Sequence, residues 1–213
     1  MGQYWVPIIL KENWESKEQP IKASLKSYDY GSGSKLMEHS YVANRLVNAV
    51  MRMIDLYDKH GDGVTFAWVG DYADPKSTEA HPRIVADDGQ VVEEGIDLYG
   101  EAHLFVGDYE CNTTEYTELK EKLLNSDLYH YRYIINRTRG EYVVIPKDEK
   151  DKWIIHPLPI LTADGNNRGG GDYDENGING KLVGTWAYDN ISVSNDPDDC
   201  KNLKQVDWKT ESE

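Results

Sequence analysis

One stretch of this chain, residues 156–177, restricts the fold more than any other. It reads HPLPILTADGNNRGGGDYDENG, an apolar run with two prolines that leads into a glycine and asparagine cluster and then into an acidic loop. Proline lacks a backbone N–H and forces the residue before it into an extended conformation, so the run predicts a β or polyproline segment and argues against a helix. The concentration of polar groups that follows makes this stretch the first candidate for a binding site.

The glycine cluster has the composition of an anion-binding backbone nest. In a nest, successive backbone N–H groups point inward and hold an anion. The predicted anion-binding residues are Asn167, Arg168, Gly169 and Gly170. The guanidinium of Arg168 adds a fork of donors. No helix start follows the cluster, as it does in nucleotide-binding loops, so a glycine-rich loop without a ligand remains the alternative.

The acidic loop resembles the first half of a calcium-binding loop. Asp172, Asp174 and Asn176 match the D-x-D-x-N-G pattern, in which alternate oxygen atoms face a metal ion and glycine allows the sharp turn. The twelfth position, which should supply a bidentate glutamate, is Val183, and no predicted helix flanks the loop. This departure argues against an EF-hand. A weaker site for Ca²⁺ or another divalent cation and a polar turn without metal both remain open.

A repeated Gly-Asp-Tyr triplet supplies the candidate catalytic carboxylates. The triplet occurs at residues 70–72, 107–109 and 171–173. The first two copies follow short apolar runs interpreted as strands. If these strands are neighbours in one sheet, Asp71 and Asp108 emerge at the same edge and can bind a cation or act as acid and base. His156, beside the glycine cluster, is the histidine predicted to act as a general base or a ligand. The alternative for each aspartate is ordinary turn chemistry at a strand exit.

Hydrophobic periodicity predicts the helices. Apolar residues recur every three or four positions from residue 35 to about residue 57, which predicts one long amphipathic helix. Ser34 is its predicted N-cap, and Glu38 and His39 are expected on its solvated face. A second, shorter helix is predicted over 113–125, whereas residues 96–105 are consistent with either a helix or a strand.

Short β-branched and aromatic runs predict the strands. These strands are expected at 3–10, 64–69, 130–138, 141–146, 182–189 and 191–194. Pro7 cannot donate to a ladder, so the first strand is predicted to be an edge strand or to carry a bulge. Residues 11–33 and 75–95 are predicted loops. The resulting fold class is α+β, a mostly antiparallel sheet packed against one long and one short helix.

The whole chain, residues 1–213, is predicted to form a single domain because no change in composition divides it. The polar tail from about residue 195 is predicted to be frayed, with Trp208 as a candidate anchor.

Charge limits the partners that the chain can bind. The formal net charge is −15, which argues against direct contact with nucleic acid or with an anionic membrane. It fits a cation-binding protein, a partner for a basic protein surface, or a solubilising surface. Two cysteines, the absence of an apolar run of transmembrane length and the absence of a secretory signal predict a cytoplasmic protein with reduced thiols.

Five segments of the chain carry a resemblance to a known family. They are KLMEHSY (35–41), WVGDYAD (68–74), INRTRGEY (135–142), HPLPILTADGNNRGGGDY (156–173) and VGTWAYDNISV (183–193). Together they resemble a family of bacterial and phage-borne proteins with no assigned activity. The resemblance implies that residues 156–173 and 186–189 belong to a shared core, and it transfers no catalytic residue.

Three functions remain open from the sequence. The first is a binding or interaction protein that engages a protein partner or a small molecule, with a cation or anion site at the glycine-rich loop. The second is a hydrolase or transferase acting on a phosphorylated or nucleotide-like substrate. The third is an acidic mimic of nucleic acid that inhibits an enzyme with a basic groove.

Overall fold

The computed structural model describes residues 3–107, 121, 131–146, 154–165 and 180–208. These residues form an α+β fold, as the sequence predicts. The helices are α1 (Leu36–His39), α2 (Arg45–Tyr57), α3 (Leu98–Gly107) and α4 (Pro157–Leu161). The strands are β1 (Trp5–Leu10), β2 (Ile21–Ser24), β3 (Val64–Gly70), β4 (Arg83–Val85), β5 (Val91–Glu94), β6 (Tyr133–Asn136), β7 (Glu141–Val144), β8 (Ala163–Asp164), β9 (Asn190–Ser194) and β10 (Lys204–Gln205).

One mostly antiparallel sheet organises the described residues. Its strand order is β10-β7-β6-β9-β3-β1-β2, and the short strand β8 also pairs with β3. β9 pairs with the beginning of β3, whereas β8 runs parallel to its end, with Trp68 opposite Ala163 and Val69 opposite Asp164. The end of β3 is therefore the place where β8 delivers the chain toward the glycine-rich segment.

Both faces of the central strands are buried. Trp5 and Ile9 of β1 face a core that contains α2, together with Phe66 and Trp68 of β3. The alternate residues of both strands face a second core, to which α3 contributes Leu98 and Ala102. Burial on both faces explains why these strands appear in the sequence as continuous apolar runs rather than as an alternating pattern.

The predicted edge position of the first strand is wrong, because β1 lies between β2 and β3. Pro7 is tolerated there because pairing with β2 begins only at the next residue, Ile8, so no N–H of Pro7 is needed. Ser24 closes the end of this ladder by donating its Oγ to the Pro7 carbonyl at 2.9 Å. The register with β2 shifts between Ile9 and Leu10, two residues after Pro7, so the irregularity in this strand does not lie at the proline itself.

The predicted continuous helix over residues 35–57 is also wrong, because the chain leaves the helix at Ser40 and starts again at Arg45. Backbone groups at 40–42 pair with a distant segment instead: the N–H of His156 donates to the Ser40 carbonyl, and the N–H of Val42 donates to the Ile154 carbonyl, both at 2.9 Å. Asn44, not Ser34, then caps the long helix by accepting from the backbone N–H of Leu46 and Val47.

The prediction that the HPLP segment is extended is also wrong, because residues 157–161 form a short helix. Pro157 and Pro159 lie in the first turn of α4, where backbone N–H groups have no intrahelical acceptor, so proline costs no hydrogen bond there. Proline destabilises the interior of a helix, where it removes a hydrogen bond, far more than it destabilises the first turn. The helix ends after Leu161, and β8 follows almost at once.

Other local predictions change in the structure, and two are confirmed. The final hairpin is absent from the described residues, because 180–189 form a 3₁₀ turn and successive turns and only β9 is a strand. Residues 98–105 lie in α3, and the second Gly-Asp-Tyr triplet begins at Gly107, the last residue of this helix, rather than at the end of a strand. The predicted loops contain β2 and the β4–β5 hairpin. The strand at 64–69 and the hairpin at 130–146 are confirmed in β3 and in the β6–β7 pair.

The C-terminal part of the described chain packs on the sheet. β10 pairs with β7, and Trp208 is buried, as expected of an anchor. The predicted helix at 113–125 lies outside the described residues apart from the helical position 121.

Candidate functional site

Most of the predicted site residues lie outside the described part of the chain. These are Asp108, Asn167, Arg168, Gly169, Gly170, Asp172, Asp174 and Asn176. Asp71 is described, and its carboxylate accepts from the backbone N–H of Tyr4 at 3.0 Å while its own N–H donates to the Tyr4 carbonyl at 2.9 Å. Asp71 therefore closes the β1–β3 ladder, as the alternative of a strand-exit turn anticipates.

His156 is fully buried and has a defined structural role. Its Nδ1 accepts from the backbone N–H of Leu158 at 3.2 Å, which caps the start of α4. Burial without a charged partner lowers the pKa of His156 to about 3, so the ring is neutral at pH 7. Because Nδ1 acts as an acceptor, the single proton of the neutral ring resides on Nε2. This Nε2–H has no acceptor among the described residues.

His39, which the sequence analysis placed on a solvated helix face, is also fully buried. Its Nδ1 lies 2.9 Å from the Gly33 carbonyl, which can only accept, so Nδ1 carries the proton when the ring is neutral. Burial is the main cause that lowers the pKa of His39 to about 4, against the opposing effects of the Gly33 hydrogen bond and of Glu38. The neutral ring therefore presents a lone pair at Nε2, and no described donor satisfies it.

The break between α1 and α2 brings these two histidines together with Ser40 and Trp68. The His39 ring stacks on the Trp68 ring with centroids 5.3 Å apart, and the Ser40 carbonyl binds the His156 N–H. Within the described chain, Ser40 Oγ and Trp68 Nε1 are also buried without a hydrogen-bond partner. We call His39, Ser40, Trp68 and His156 the interior polar cluster. Buried polar atoms are almost always paired, so four unpaired atoms in one neighbourhood mark this place as exceptional.

Gln3 lies at the end of β3, beside the start of the glycine-rich segment. Its Oε1 is buried and lacks a described partner. A Cβ placed on Gly70 or Gly165 would lie 2.7 or 2.5 Å from this oxygen, and it would also press on the Trp5 ring. The two glycines thus allow Gln3 and Trp5 to fill the end of β3, where the chain passes from Gly165 into the glycine-rich segment.

A second polar contact lies on the side of the sheet that carries the α3 core. The Asp164 carboxylate accepts a short hydrogen bond from the Tyr188 hydroxyl and pairs with Lys76 Nζ at 2.7 Å. Burial and the adjacent Asp164 raise the pKa of Tyr188 well above its usual range. Tyr188 has a left-handed backbone with φ of 68°. These groups satisfy one another, so the contact fixes the beginning of the glycine-rich segment and leaves no unpaired atom.

The structure also brings together segments that carry the resemblance. Arg139 Nε and Asn136 Nδ2 donate to the Asp189 carboxylate at 2.6 and 2.8 Å. The backbone N–H of Trp186 donates to the Leu161 carbonyl at 2.7 Å. Residues 186–189 therefore connect α4 to the β6–β7 turn.

An open cleft of about 360 Å³ lies at the other end of β3. Asp58 lines it, but its carboxylate already accepts from the Gly63 N–H and from Ser192 Oγ. Its neighbours His60 and Lys59 are solvent-exposed. The cleft thus lacks the unpaired buried groups that distinguish the interior polar cluster.

Sequence reasoning identified His156 but missed its partners. His39 and Ser40 lie in the KLMEHSY segment, and Trp68 is the first residue of WVGDYAD. The motifs of the resemblance therefore include these residues, whereas helical periodicity predicts that His39 is exposed to solvent. Gln3 lies in none of these motifs. Its role follows only from its contact with Gly70 and Gly165.

Among the described residues, no group of three or more His, Cys, Asp or Glu side chains could hold a metal ion. Within the same ranges, no helix has the length and apolar character needed to cross a membrane. The predicted loop at Asp172, Asp174 and Asn176 is outside these ranges, so a divalent cation at that loop stays a prediction.

Comparison of the chain with protein-family models, with curated proteins and with solved structures finds no match in any of the three. The resemblance based on the sequence motifs therefore stays a prediction.

Proposed function

We propose that this chain is a binding protein that takes a small molecule at the interior polar cluster, next to the start of the glycine-rich segment. The observation that carries the proposal is the set of unpaired, buried polar atoms on His39, Ser40, Trp68 and His156. Each such atom costs about 1–3 kcal/mol when it is left without a partner, and a chain retains that cost where a ligand removes it.

The two histidines support a binding role because their ring orientations are fixed. Each ring uses Nδ1 for a backbone hydrogen bond, which leaves Nε2 without a partner among the described residues. A site held by such bonds is preorganised, which reduces the ordering cost of binding. Trp68 lies on β3 and His39 at the end of α1, whereas Ser40 and His156 are the cap residues of α1 and α4.

A screen of small polar molecules by thermal denaturation tests this proposal. The panel includes sugars, nucleosides, nucleotides, amino acids, inorganic phosphate and Ca²⁺. We expect at least one compound to raise the midpoint of unfolding, since a ligand at 100 times its Kd stabilises by about 2.7 kcal/mol. The double variant His39→Asn/His156→Asn should lose this shift.

The substitution to asparagine makes a matched probe. At position 156, asparagine offers an oxygen in place of Nδ1 and keeps the cap of α4, and at position 39 it offers an N–H for the Gly33 carbonyl. The substitutions remove both Nε2 atoms together with the outer part of each ring, including the His39 ring that stacks on Trp68. An equal midpoint shift in the double variant, or no shift in the wild type with any compound, would contradict a ligand site at the cluster.

Ser40→Ala provides a separate prediction about stability. The hydroxyl is buried and has no described partner, so its removal should raise the free energy of unfolding by about 1 kcal/mol. Ser24→Ala is the matched control, because the equally buried Ser24 donates to the Pro7 carbonyl and should lose about 1 kcal/mol. Urea denaturation distinguishes the two. A loss of stability in Ser40→Ala similar to that in Ser24→Ala would show that the Ser40 hydroxyl is satisfied.

One observation favours a second candidate, an enzyme. The His39 ring is neutral at pH 7 and its Nε2 lone pair has no described donor, so it can accept a proton from a bound substrate, although burial makes it a weaker base than an exposed histidine. A hydrolase or transferase would combine it with the predicted anion-binding Arg168. If a substrate is found, unchanged turnover in both His39→Asn and Arg168→Ala would rule out this combination.

A further inference from the structure

The interior polar cluster offers donors and acceptors in a defined set. The Nε2–H of His156 and the Nε1–H of Trp68 are donors, because the first follows from the bond at Nδ1 and an indole nitrogen can only donate. Nε2 of His39 is an acceptor. The Ser40 hydroxyl can do either. A ligand that satisfies the set must itself carry both an acceptor and a donor.

Among the described residues, no Asp, Glu, Lys or Arg is fully buried, and both histidines are neutral at pH 7. Glu38, whose charge acts on His39, is exposed to solvent and accepts from the Lys35 backbone N–H, so it lies outside the buried part of this set. An ion that enters such a place loses its hydration and gains no opposite charge, a penalty that hydrogen bonds to neutral groups offset only in part. A neutral molecule avoids this penalty.

We infer that the ligand of the interior polar cluster is an uncharged molecule with adjacent hydrogen-bond acceptor and donor groups, such as a carboxamide. The inference rests on the proposed function, and it narrows the ligand class. The carbonyl of a carboxamide can accept from an N–H such as that of His156 or Trp68, and its NH₂ can donate to Nε2 of His39. A carboxylate lacks the donor, and an amidinium lacks the acceptor.

This ligand class differs from the anion and the cation predicted for the glycine-rich and acidic segments. Those predictions depend on Arg168 and on the loop at 172–176, outside the described residues. The interior polar cluster depends on neither, so both kinds of site can be tested separately.

A set of isosteric probes distinguishes the ligand classes. Acetamide, acetate and acetamidinium have the same shape and differ in charge and in donors, as do benzamide, benzoate and benzamidinium. Each is titrated into the full-length protein while the indole N–H resonance of Trp68 is followed by NMR, with Trp68→Phe used for its assignment. We expect saturable shifts with at least one neutral amide and at least about tenfold weaker binding of its charged counterparts.

Two variants locate the effect. His156→Asn and His39→Asn should each weaken amide binding by about tenfold, whereas His60→Asn, at an exposed histidine, should bind like the wild type. Preference for acetate or amidinium, or equal binding of all three, overturns the inference while the proposed ligand site stands. Absence of amide binding also overturns it. The proposed function itself fails only if the broader thermal panel gives no shift that depends on the two histidines.

Discussion

Lowering the pH from 7 to 5 is expected to reduce the free energy of unfolding by about 4 kcal/mol through His39 and His156 alone. Burial lowers their pKa values to about 4 and about 3 in the folded protein, whereas an unfolded histidine titrates near 6.5. Between these values the unfolded chain binds more protons than the folded one. The stabilising difference is therefore complete above pH 6.5 and is lost as the pH falls toward 4 and then 3.

The magnitude follows from the width of this pH window. Each histidine contributes about 1.4 kcal/mol per pH unit over the part of the window that is crossed, which gives about 2 kcal/mol per ring between pH 7 and pH 5. Globular domains have only about 5–15 kcal/mol of stability in total. Acid should therefore unfold this protein at a pH where most carboxylates are still ionised.

Urea denaturation of the wild type and of His39→Asn/His156→Asn at both pH values isolates the histidine contribution, because all other titrating groups are shared. The variant should lose about 4 kcal/mol less than the wild type over this interval. An identical pH dependence in the two proteins would show that the rings are protonated in the folded state as easily as in the unfolded one.

Gly184→Ala is expected to cost about 4 kcal/mol, a large effect for a single added methyl group. Gly184 has φ of 72°, and a Cβ there would lie 2.4 Å from the Ala163 carbonyl oxygen. Backbone bonds hold this segment on α4, since the Gly184 N–H donates to the Ile160 carbonyl at 2.8 Å. The new methyl group must therefore displace backbone that also positions the end of β3.

Gly61→Ala is the matched control for this effect. Gly61 has a similar φ of 78°, but a Cβ there meets nothing within 4 Å. It should cost only the left-handed conformational penalty of about 1 kcal/mol. Chemical denaturation measures the free energy of unfolding of both variants. Equal losses of stability would mean that residue 184 does not lie close to the Ala163 carbonyl.

Local sequence patterns predicted the secondary structure correctly where a run or stripe of apolar residues is buried. The apolar run at 64–69 became β3, and the apolar stripe at 46–54 became the buried face of α2. The long apolar stripe did not reveal the break at Ser40. That break depends on backbone bonds from 154–156, a segment far along the chain, and no helical propensity near Ser40 encodes it.

Only His156 of the interior polar cluster could be predicted from the sequence, for the same reason. His156 stood out because it precedes the proline run, and the structure places it in the interior polar cluster rather than at a solvent-exposed site. His39 lies between Glu38 and Ser40, a polar context that indicates a solvated face. The helix break turns His39 and Ser40 inward, so their burial could not be predicted from periodicity alone.

The protonation state of the His39 and His156 rings is the most direct test of the interior polar cluster. A long-range ¹H–¹⁵N NMR spectrum of the histidine rings at pH 7 reports which nitrogen carries the proton in each. We predict two neutral rings, with the proton on Nδ1 of His39 and on Nε2 of His156, which provides one acceptor and one donor. An imidazolium ring at either position, or the opposite tautomer at either position, would contradict the interior polar cluster as a neutral ligand site.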